Sequence, residues 1–464
     1  MVSKISTQAG FGQRQYLTAY SNQIIVASFL LIILLSTWIL SLPWCSKDIS
    51  LFEALFTATS AACVTGLSVV NINQFFWLGK IVIMLLVQVG GLGLMTLSFF
   101  LITAFNHELG MGSTSLAKDF LSLNSFAKIK DYLRLIIKIT IITELVGAVV
   151  LFTQFYKLYS LPVAIFTSLF YAVSAFCNAG ISLHADAELA LLINNYVIAF
   201  TLQFLVVIGG LGFFVFYELI NVIYKFIQDG FSQKVSPSRY SLLSLHSNVV
   251  IKTSLYITII GTLFLLAIEK NNLFYHESWV QAFCKSLFHN ISLRSSGFAV
   301  LNIDDLSDAS ILFSIVCMLI GASPGSTGGG IKTTTFAIIV ATFVSIVRGK
   351  SYVEIGLRTI SEQQIYKSAS ILALFITWVL CATFLLLLLE KGHQFLPLLF
   401  ETCSSLANVG LSTGLTPQLS SAGQLVIMIN MLAGRIGILT FIFAISRKTV
   451  LQHYKYPKEE IILG

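Results

Sequence analysis

Four glycines stand at nearly even intervals in this chain: Gly66, Gly180, Gly297 and Gly410, separated by 114, 117 and 113 residues. Each belongs to a similar phrase. These run Phe56 to Ser68 (FTATSAACVTGLS), Phe170 to Ser182 (FYAVSAFCNAGIS), Phe288 to Ala299 (FHNISLRSSGFA) and Phe400 to Ser412 (FETCSSLANVGLS). An apolar residue lies ten positions before each glycine (Phe56, Phe170, Leu287, Phe400). Glycine recurs 24 residues further on at Gly90, Gly321 and Gly434, and 29 further on at Gly209. A period of this length exceeds any solenoid repeat and reads as four copies of one larger unit. Four copies around an axis would place four equivalent glycines around a point, an arrangement suited to coordinating one ion.

Composition says what the units are made for. Apolar residues make up 56% of the 464 and charged residues 11%, with a mean hydropathy of +0.86. No water-soluble surface can be built from that pool, so the usual reading of such a length as several soluble domains gives way to an all-α polytopic membrane protein. The cysteines show no CxxC and no metal spacing. Cys63, Cys177, Cys284, Cys317, Cys381 and Cys403 fall in apolar or phrase sequence and read as small packed residues, so no metal site is expected beyond a transported ion. The polar stretch Met1 to Ser21 is not a cleavable signal, and the first span is expected to be retained.

Each unit reads as a span, a short re-entrant helix and a second span. The first offers Ile24–Leu42, Leu51–Ala62 and Phe76–Phe105; the second Leu133–Tyr156, Pro162–Cys177 and Tyr196–Ile227. The third offers Val249–Ile268, Trp279–Leu293 and Ile311–Val347; the fourth Ile371–Leu389, Pro397–Leu406 and Leu425–Ala444. This predicts eight transmembrane helices and four pore helices around one central pore, in units 1–105, 106–227, 228–347 and 348–464.

Charge tests the topology independently. With both termini on one side, that side holds 19 of the 28 Lys and Arg residues: Lys4, Arg14, Lys118, Lys128, Lys130, Arg134, Lys138, Lys225, Lys234, Arg239, Lys252, Arg348, Lys350, Arg358, Lys367, Arg447, Lys448, Lys455 and Lys458. The other side holds Lys47, Lys80, Lys157, Lys270 and Lys391. Both termini and the loops between units are therefore expected in the cytoplasm, and the net charge of +7 calls for no nucleic-acid partner. The pore helices then enter from outside, where Asp186, Glu188, Glu269, Glu277, Asp304, Asp305 and Asp308 cluster. These acids either concentrate cations at a mouth or are simply tolerated on that face.

Non-helical backbone at membrane depth must be buried or line water. Glycine after a half-helix permits dihedrals that turn carbonyls toward an axis, and the helix C-termini add partial negative charge. The expected ion-coordinating backbone is Val64-Thr65-Gly66, Asn178-Ala179-Gly180, Ser295-Ser296-Gly297 and Asn408-Val409-Gly410. The absence of an acidic ring at these positions favours a monovalent cation held by carbonyls. The third unit's second span is interrupted by Gly321-Ala322-Ser323-Pro324-Gly325-Ser326-Thr327-Gly328-Gly329-Gly330, which cannot continue a helix. Apolar sequence on both sides sets the break inside the membrane. The segment looks superficially like a phosphate-binding loop, but Ile331 separates Gly330 from Lys332 and no strand precedes it. Arg435, in the matching stretch of the fourth unit, is a lone arginine in an apolar span and so a functional candidate.

The four phrases, the broken helix and Arg435 together resemble the potassium-translocating membrane subunits of the Trk/Ktr/HKT superfamily, most closely the Ktr type, over nearly the whole chain. The resemblance implies one filter glycine per unit at Gly66, Gly180, Gly297 and Gly410. Glycine at position 66 matches the potassium-selective pattern, and the short segment before the first span matches the Ktr type. Arg294 in the third phrase departs from the repeat and implies less symmetric coordination. The resemblance further implies an intramembrane gate formed by residues 321–330 and Lys332, with Arg435 opposite. Arg435 is expected to donate to loop carbonyls and raise a cationic barrier; the other reading is a structural pairing with Glu144 or Glu218. Potassium is the implied substrate and sodium an activator, with nucleotide acting only through a partner. That partner is a cytoplasmic, KtrA-like ring of nucleotide-binding subunits beneath a homodimer in a bacterial plasma membrane. Candidate docking surfaces are Asn106–Arg134, Lys225–Lys252, Arg348–Lys367 and Ser446–Gly464, which also read as ordinary basic loops. Two other classes fit the residues less well. A sodium-coupled secondary transporter would use Glu144 or Glu218 as its membrane carboxylate. An intramembrane enzyme would have only His289 and Ser292 to work with, without a second His, an Asp or a GxSxG.

Overall fold

A computed structural model describes residues 23–105, 126–184, 186–230 and 243–445. The segments 1–22, 106–125, 231–242 and 446–464, which hold much of the basic docking surface expected above, lie outside the described residues.

The chain is helical, and its helices differ by position in the repeat. The helix that opens each unit is unbroken: α1 (Gln23–Leu40), α4 (Phe126–Phe155), α9 (Leu245–Glu269) and α13 (Glu362–Leu389). Each is long and apolar enough to cross a membrane, yet no more than 33% of its apolar window is buried in the protein. Leu34, Trp38, Ile142, Val149, Ile260, Leu380 and Phe384 stand exposed along them. Such a surface is stable only against hydrocarbon, where a helix satisfies its own backbone groups.

Four short helices follow: α2 (Leu51–Ala62), α5 (Leu161–Phe176), α10 (Trp279–Ser292) and α14 (Phe395–Leu406). At 12 to 16 residues and ~1.5 Å per residue they fall short of a ~30 Å hydrocarbon core. Their starts are written locally. Ser50 with Glu53 and Ser278 with Gln281 form capping boxes, and α5 begins on a proline. Their C-terminal halves are buried, and Phe56, Phe170 and Phe400, ten before the glycines, are inaccessible.

The closing helices are where the sequence reading needs correction. After the short α6 (Asp186–Ile193), α7 (Tyr196–Leu211) and α8 (Phe213–Gly230) meet at a 98° bend, and α15 (Ser421–Ile436) and α16 (Ile438–Ile445) at 105°. Tyr196–Ile227 and Leu425–Ala444 are thus not single straight spans. Gly212 (φ +90°) and Gly437 (φ +91°) stop the first helix of each pair in a conformation L side chains rarely adopt. α11 (Asp308–Leu319) and α12 (Thr333–Val347) are separated by residues 320–332, at the expected break. Only α3 (Trp77–Phe105) runs on unbroken. Between α12 and α13 a two-stranded hairpin, β1 (Glu354–Ile355) and β2 (Arg358–Thr359), carries a fully exposed Leu357 at its tip.

Close packing ties the closing helices to the pore helices. A Cβ on Gly90, Gly209 or Gly434 would collide with the carbonyl of Ala62, Phe176 or Leu406, each four residues before a phrase glycine. Small residues let backbones approach this closely where lipid offers no hydrophobic gain. Gly321 breaks the pattern. Its Cβ would strike the Gly329 carbonyl instead, because the chain there has left the helix and folds back on itself.

Candidate functional site

Five described non-glycine residues have positive φ: Asp48, and then Val64 (+55°), Asn178 (+59°), Ser295 (+70°) and Asn408 (+51°). The last four each lie two positions before a phrase glycine. A β-branched valine in this region is a true outlier, so the surrounding structure must enforce it. The glycines follow at +97°, +63°, +71° and +92°. All four phrases therefore trace one unusual backbone path.

That path closes a ring. A Cβ on Gly66 would strike the Ala179 carbonyl oxygen; on Gly180, that of Ser296; on Gly297, that of Val409; and on Gly410, that of Thr65. Each glycine thus abuts the carbonyl preceding the next glycine, in chain order and back to the start. The carbonyls of Thr65, Ala179, Ser296 and Val409 and the four glycines thus form one closed circuit, and a side chain at any of the glycines would collide with its neighbour's carbonyl.

Hydroxyl groups hold the path in three phrases. Six positions before the glycine stand Ser60, Ser174 and Ser404. Gly66 N and Gly410 N donate to the hydroxyls of Ser60 and Ser404 at 3.1 Å, while Ser174 and Ser404 donate to the carbonyls of Ile181 (2.8 Å) and Leu411 (2.6 Å). In the third phrase this position is Ile291, which has no hydroxyl. There Ser296 N turns to Ser292 O at 3.1 Å and Ser295 Oγ reaches Ala407 O at 3.3 Å. Aligning the phrases on their glycines is the sequence signal for this clamp, since serine falls at the same offset in three of the four. Asn408 Nδ2 donates to Thr65 Oγ1 (2.8 Å) and Met431 O (2.9 Å), joining the fourth phrase to the first. The Asn178 amide nitrogen, so oriented, reaches Ala175 O and Val206 O.

Residues 320–332 lie against one end of this ring. Gly329 N donates to Ser295 Oγ at 3.2 Å, a Cβ on Gly329 would meet Ala407 O and Asn408 Oδ1, and one on Gly328 would meet Ser295 and Ala322. The loop is fastened on its other flank. Ser323 N and Thr327 N donate to Gly210 O and Gly209 O, Thr327 Oγ1 to Phe176 O, and Phe213 N to Gly325 O. The Pro324 carbonyl packs against Gly212, so the 98° bend sits where the loop arrives. Within the loop, Gly321 N and Ile331 O pair at 3.0 Å, Ser326 Oγ donates to Ser323 O, and Lys332 Nζ caps Gly328 O at 2.7 Å. A Cβ on Gly330 would press on Gly321.

Arg435 is buried, and its guanidinium donates to the Thr327 carbonyl of the loop and to the Gly90 and Gly91 carbonyls of α3. No carboxylate takes part. Glu218 instead accepts from Ser244 N and Oγ, and Glu144 lies beside Cys177 and Gln88. The pairing of Arg435 with either acid is therefore overturned. The fork of a guanidinium suits this, since it reaches two backbones at once. Arg294 turns away from the ring to donate to Ser254 O, Ser254 Oγ and Thr258 Oγ1 on α9.

The outer acids are not one class. Glu269 is wholly buried and accepts from Ser307 N, Ser307 Oγ and Asn272, capping α11; Glu277 pairs with Lys285. Glu188, Asp304, Asp305 and Asp308 are exposed. Beyond the second phrase, His184 stacks on Tyr171 and Tyr159 and bonds both hydroxyls, at 2.7 and 2.9 Å; burial pushes its pKa below the usual histidine range. His289 is buried beside Ser314 at 3.4 Å.

A multi-pass helical fold whose four phrases close into a circuit of glycines and carbonyls, with a broken helix folded against it, defines a membrane transporter. The chain belongs to the TrkH family of cation transport proteins, whose family model matches residues 4–452. It is 34% identical to the Ktr system potassium uptake protein B of Vibrio alginolyticus over 98% of this chain and 97% of that protein. It is 33% identical to the Ktr system potassium uptake protein D of Bacillus subtilis over 95% and 97% of the two chains. To the potassium/sodium uptake protein NtpJ of Enterococcus hirae the identity is 31%, over 95% and 97%. The fold matches the crystal structure of the potassium transporter TrkH from Vibrio parahaemolyticus with a TM-score of 0.70, at 18% identity, over 92% of this chain and 85% of that one.

Proposed function

We propose that this chain carries potassium into the cell through the ring of carbonyls formed by Thr65, Ala179, Ser296 and Val409 with their neighbouring glycines. The observation that carries this reading is the closed, chain-ordered contact of each phrase glycine with the next phrase's carbonyl. Carbonyls so arranged replace the hydration shell of a monovalent cation. The loop 321–330 acts as a gate below the filter, held by Lys332 and by Arg435, whose charge slows the ion while the loop is in place. The names of the Ktr relatives support a subunit that works with partners. We assign it a homodimeric state on a cytoplasmic ring of nucleotide-binding subunits. We also assign sodium the role of an activator; the relative named for potassium and sodium uptake supports only that sodium is handled within the family.

The test is potassium and rubidium uptake in cells stripped of their own potassium systems, with and without sodium. Wild type is compared with Gly66→Ser and Gly297→Ser. Both variants are expected to lose potassium affinity and selectivity over sodium by tenfold or more, about 1.4 kcal/mol. Unchanged affinity and selectivity in both would remove the filter assignment.

A further inference from the structure

One buried acid stands behind the fourth phrase with no role in the reading above. Glu401, on α14, has no accessible surface. Its Oε1 accepts from Ser412 Oγ at 2.6 Å, Thr413 N at 2.8 Å and Thr413 Oγ1 at 3.1 Å, and its Oε2 from Thr416 Oγ1 at 2.5 Å. Ser412 Oγ itself accepts from Gly414 N at 3.0 Å, which directs its own proton to the carboxylate. Four donors and no acceptor form the surroundings of an ionised carboxylate. The ion pairs found among the described residues, Lys285–Glu277 and Lys350–Glu354, do not include it. A buried charge without a counter-charge is costly, so it needs a cation from elsewhere.

The repeat shows where it sits. Glu401 is nine positions before Gly410, and Ser412 is two positions after it. In the second phrase the same two positions are Tyr171 and Ser182, whose hydroxyls lie 2.8 Å apart. The third phrase places Phe288 and Ala299 there, a pair that cannot hydrogen-bond. In the first phrase Thr57 donates to Glu53 O within its own helix. The position therefore braces the strand leaving the filter glycine in two phrases, and only in the fourth does the brace carry charge.

We propose that Glu401 is a positioning residue that holds the strand 411–416 and supplies a fixed negative charge behind the fourth filter phrase, with the transported potassium ion as its counter-charge. The proposal rests on the filter reading given above. It makes the site electrostatically lopsided, drawing the ion toward the phrase that also touches the gating loop through Asn408.

Glu401→Gln keeps the shape and removes the charge. In the uptake assay its KM for potassium should rise roughly tenfold with maximal rate within about twofold, and rubidium should follow in parallel. Ser412→Ala removes one donor and leaves the charge, so its KM should rise less than about threefold. Equal KM shifts in the two variants, or a Glu401→Gln change confined to maximal rate, would overturn the proposal. Should Glu401→Gln fail to reach the membrane, Glu401→Asp decides: wild-type KM within about threefold supports a charge role, and loss like that of Gln assigns the residue to shape alone. Gly410→Ser is run alongside. If it disturbs affinity and Glu401→Gln does not, only this proposal fails; if Gly410→Ser changes nothing, the filter reading fails first.

Discussion

Val64, Ser295 and the two asparagines Asn178 and Asn408 have no side-chain chemistry common to all four, yet all four adopt the same left-handed backbone. What they share is a place two residues before a glycine and a neighbour ring that fixes it. Sequence pointed to the glycines; the left-handed residues could not be read from it, because a valine in that conformation is enforced from outside. Arg435 is the other residue that the fold explains. Its charge stands in a buried site bonded to three carbonyls and no acid. At an effective dielectric near 20, a guanidinium opposes a cation ~10 Å away by roughly one to two kcal/mol. Arg435→Ala should therefore raise the initial uptake rate roughly tenfold. Arg435→Lys should lie between, since an ammonium keeps the charge but lacks the fork. Uptake of rubidium across a range of membrane voltages checks this; equal rates in all three would deny Arg435 a gating role.

Among the elements, the break at 320–332 was legible because five glycines and a proline within ten residues admit no helix. The bends at Gly212 and Gly437 were not. Gly212 follows Gly209-Gly210-Leu211 and Gly437 follows Gly434-Arg435-Ile436, but neither stretch holds a proline, and one or two glycines near a helix end do not by themselves stop it. Only the approach of Pro324 shows why the chain turns at Gly212. The pore helices were placed to within a few residues, since their caps and lengths are local properties. The loop is fastened at both flanks, to Gly209, Gly210 and Phe213 on one and to Ser295 on the other. Deleting two of residues 325–330 should detach one flank and raise flux severalfold while protein level in the membrane stays unchanged. A shortened loop that lowers flux in proportion to protein level would mean that it is scaffold only.

At the scale of the molecule, the orientation is open to direct test. The hairpin tip at Leu357 belongs to a loop between units, and the exposed Tyr275 follows α9 at its other end. With the half-buried Cys284 replaced by serine, a membrane-impermeant maleimide should label Tyr275→Cys in intact cells. Leu357→Cys should be labelled only in inverted membranes. The reverse pattern would invert the topology derived from lysine and arginine counts.

The sequence by itself determined the class of fold, and it set the expectation of a fourfold plan and of the side of the membrane each loop should take. Those follow from apolar length, repeat spacing and loop charge, all of which are local sums. Only the tertiary structure decided that the repeat closes into a ring, that Ile291 leaves the third phrase unclamped, and that Arg435 bridges the loop to α3. It likewise joined the four spaced glycines into one circuit through their neighbours' carbonyls, with Glu401 bonded to the segment that follows the fourth. Each depends on which backbone comes within hydrogen-bonding reach of which, at separations of up to some 340 residues. Spacing along a chain does not encode that.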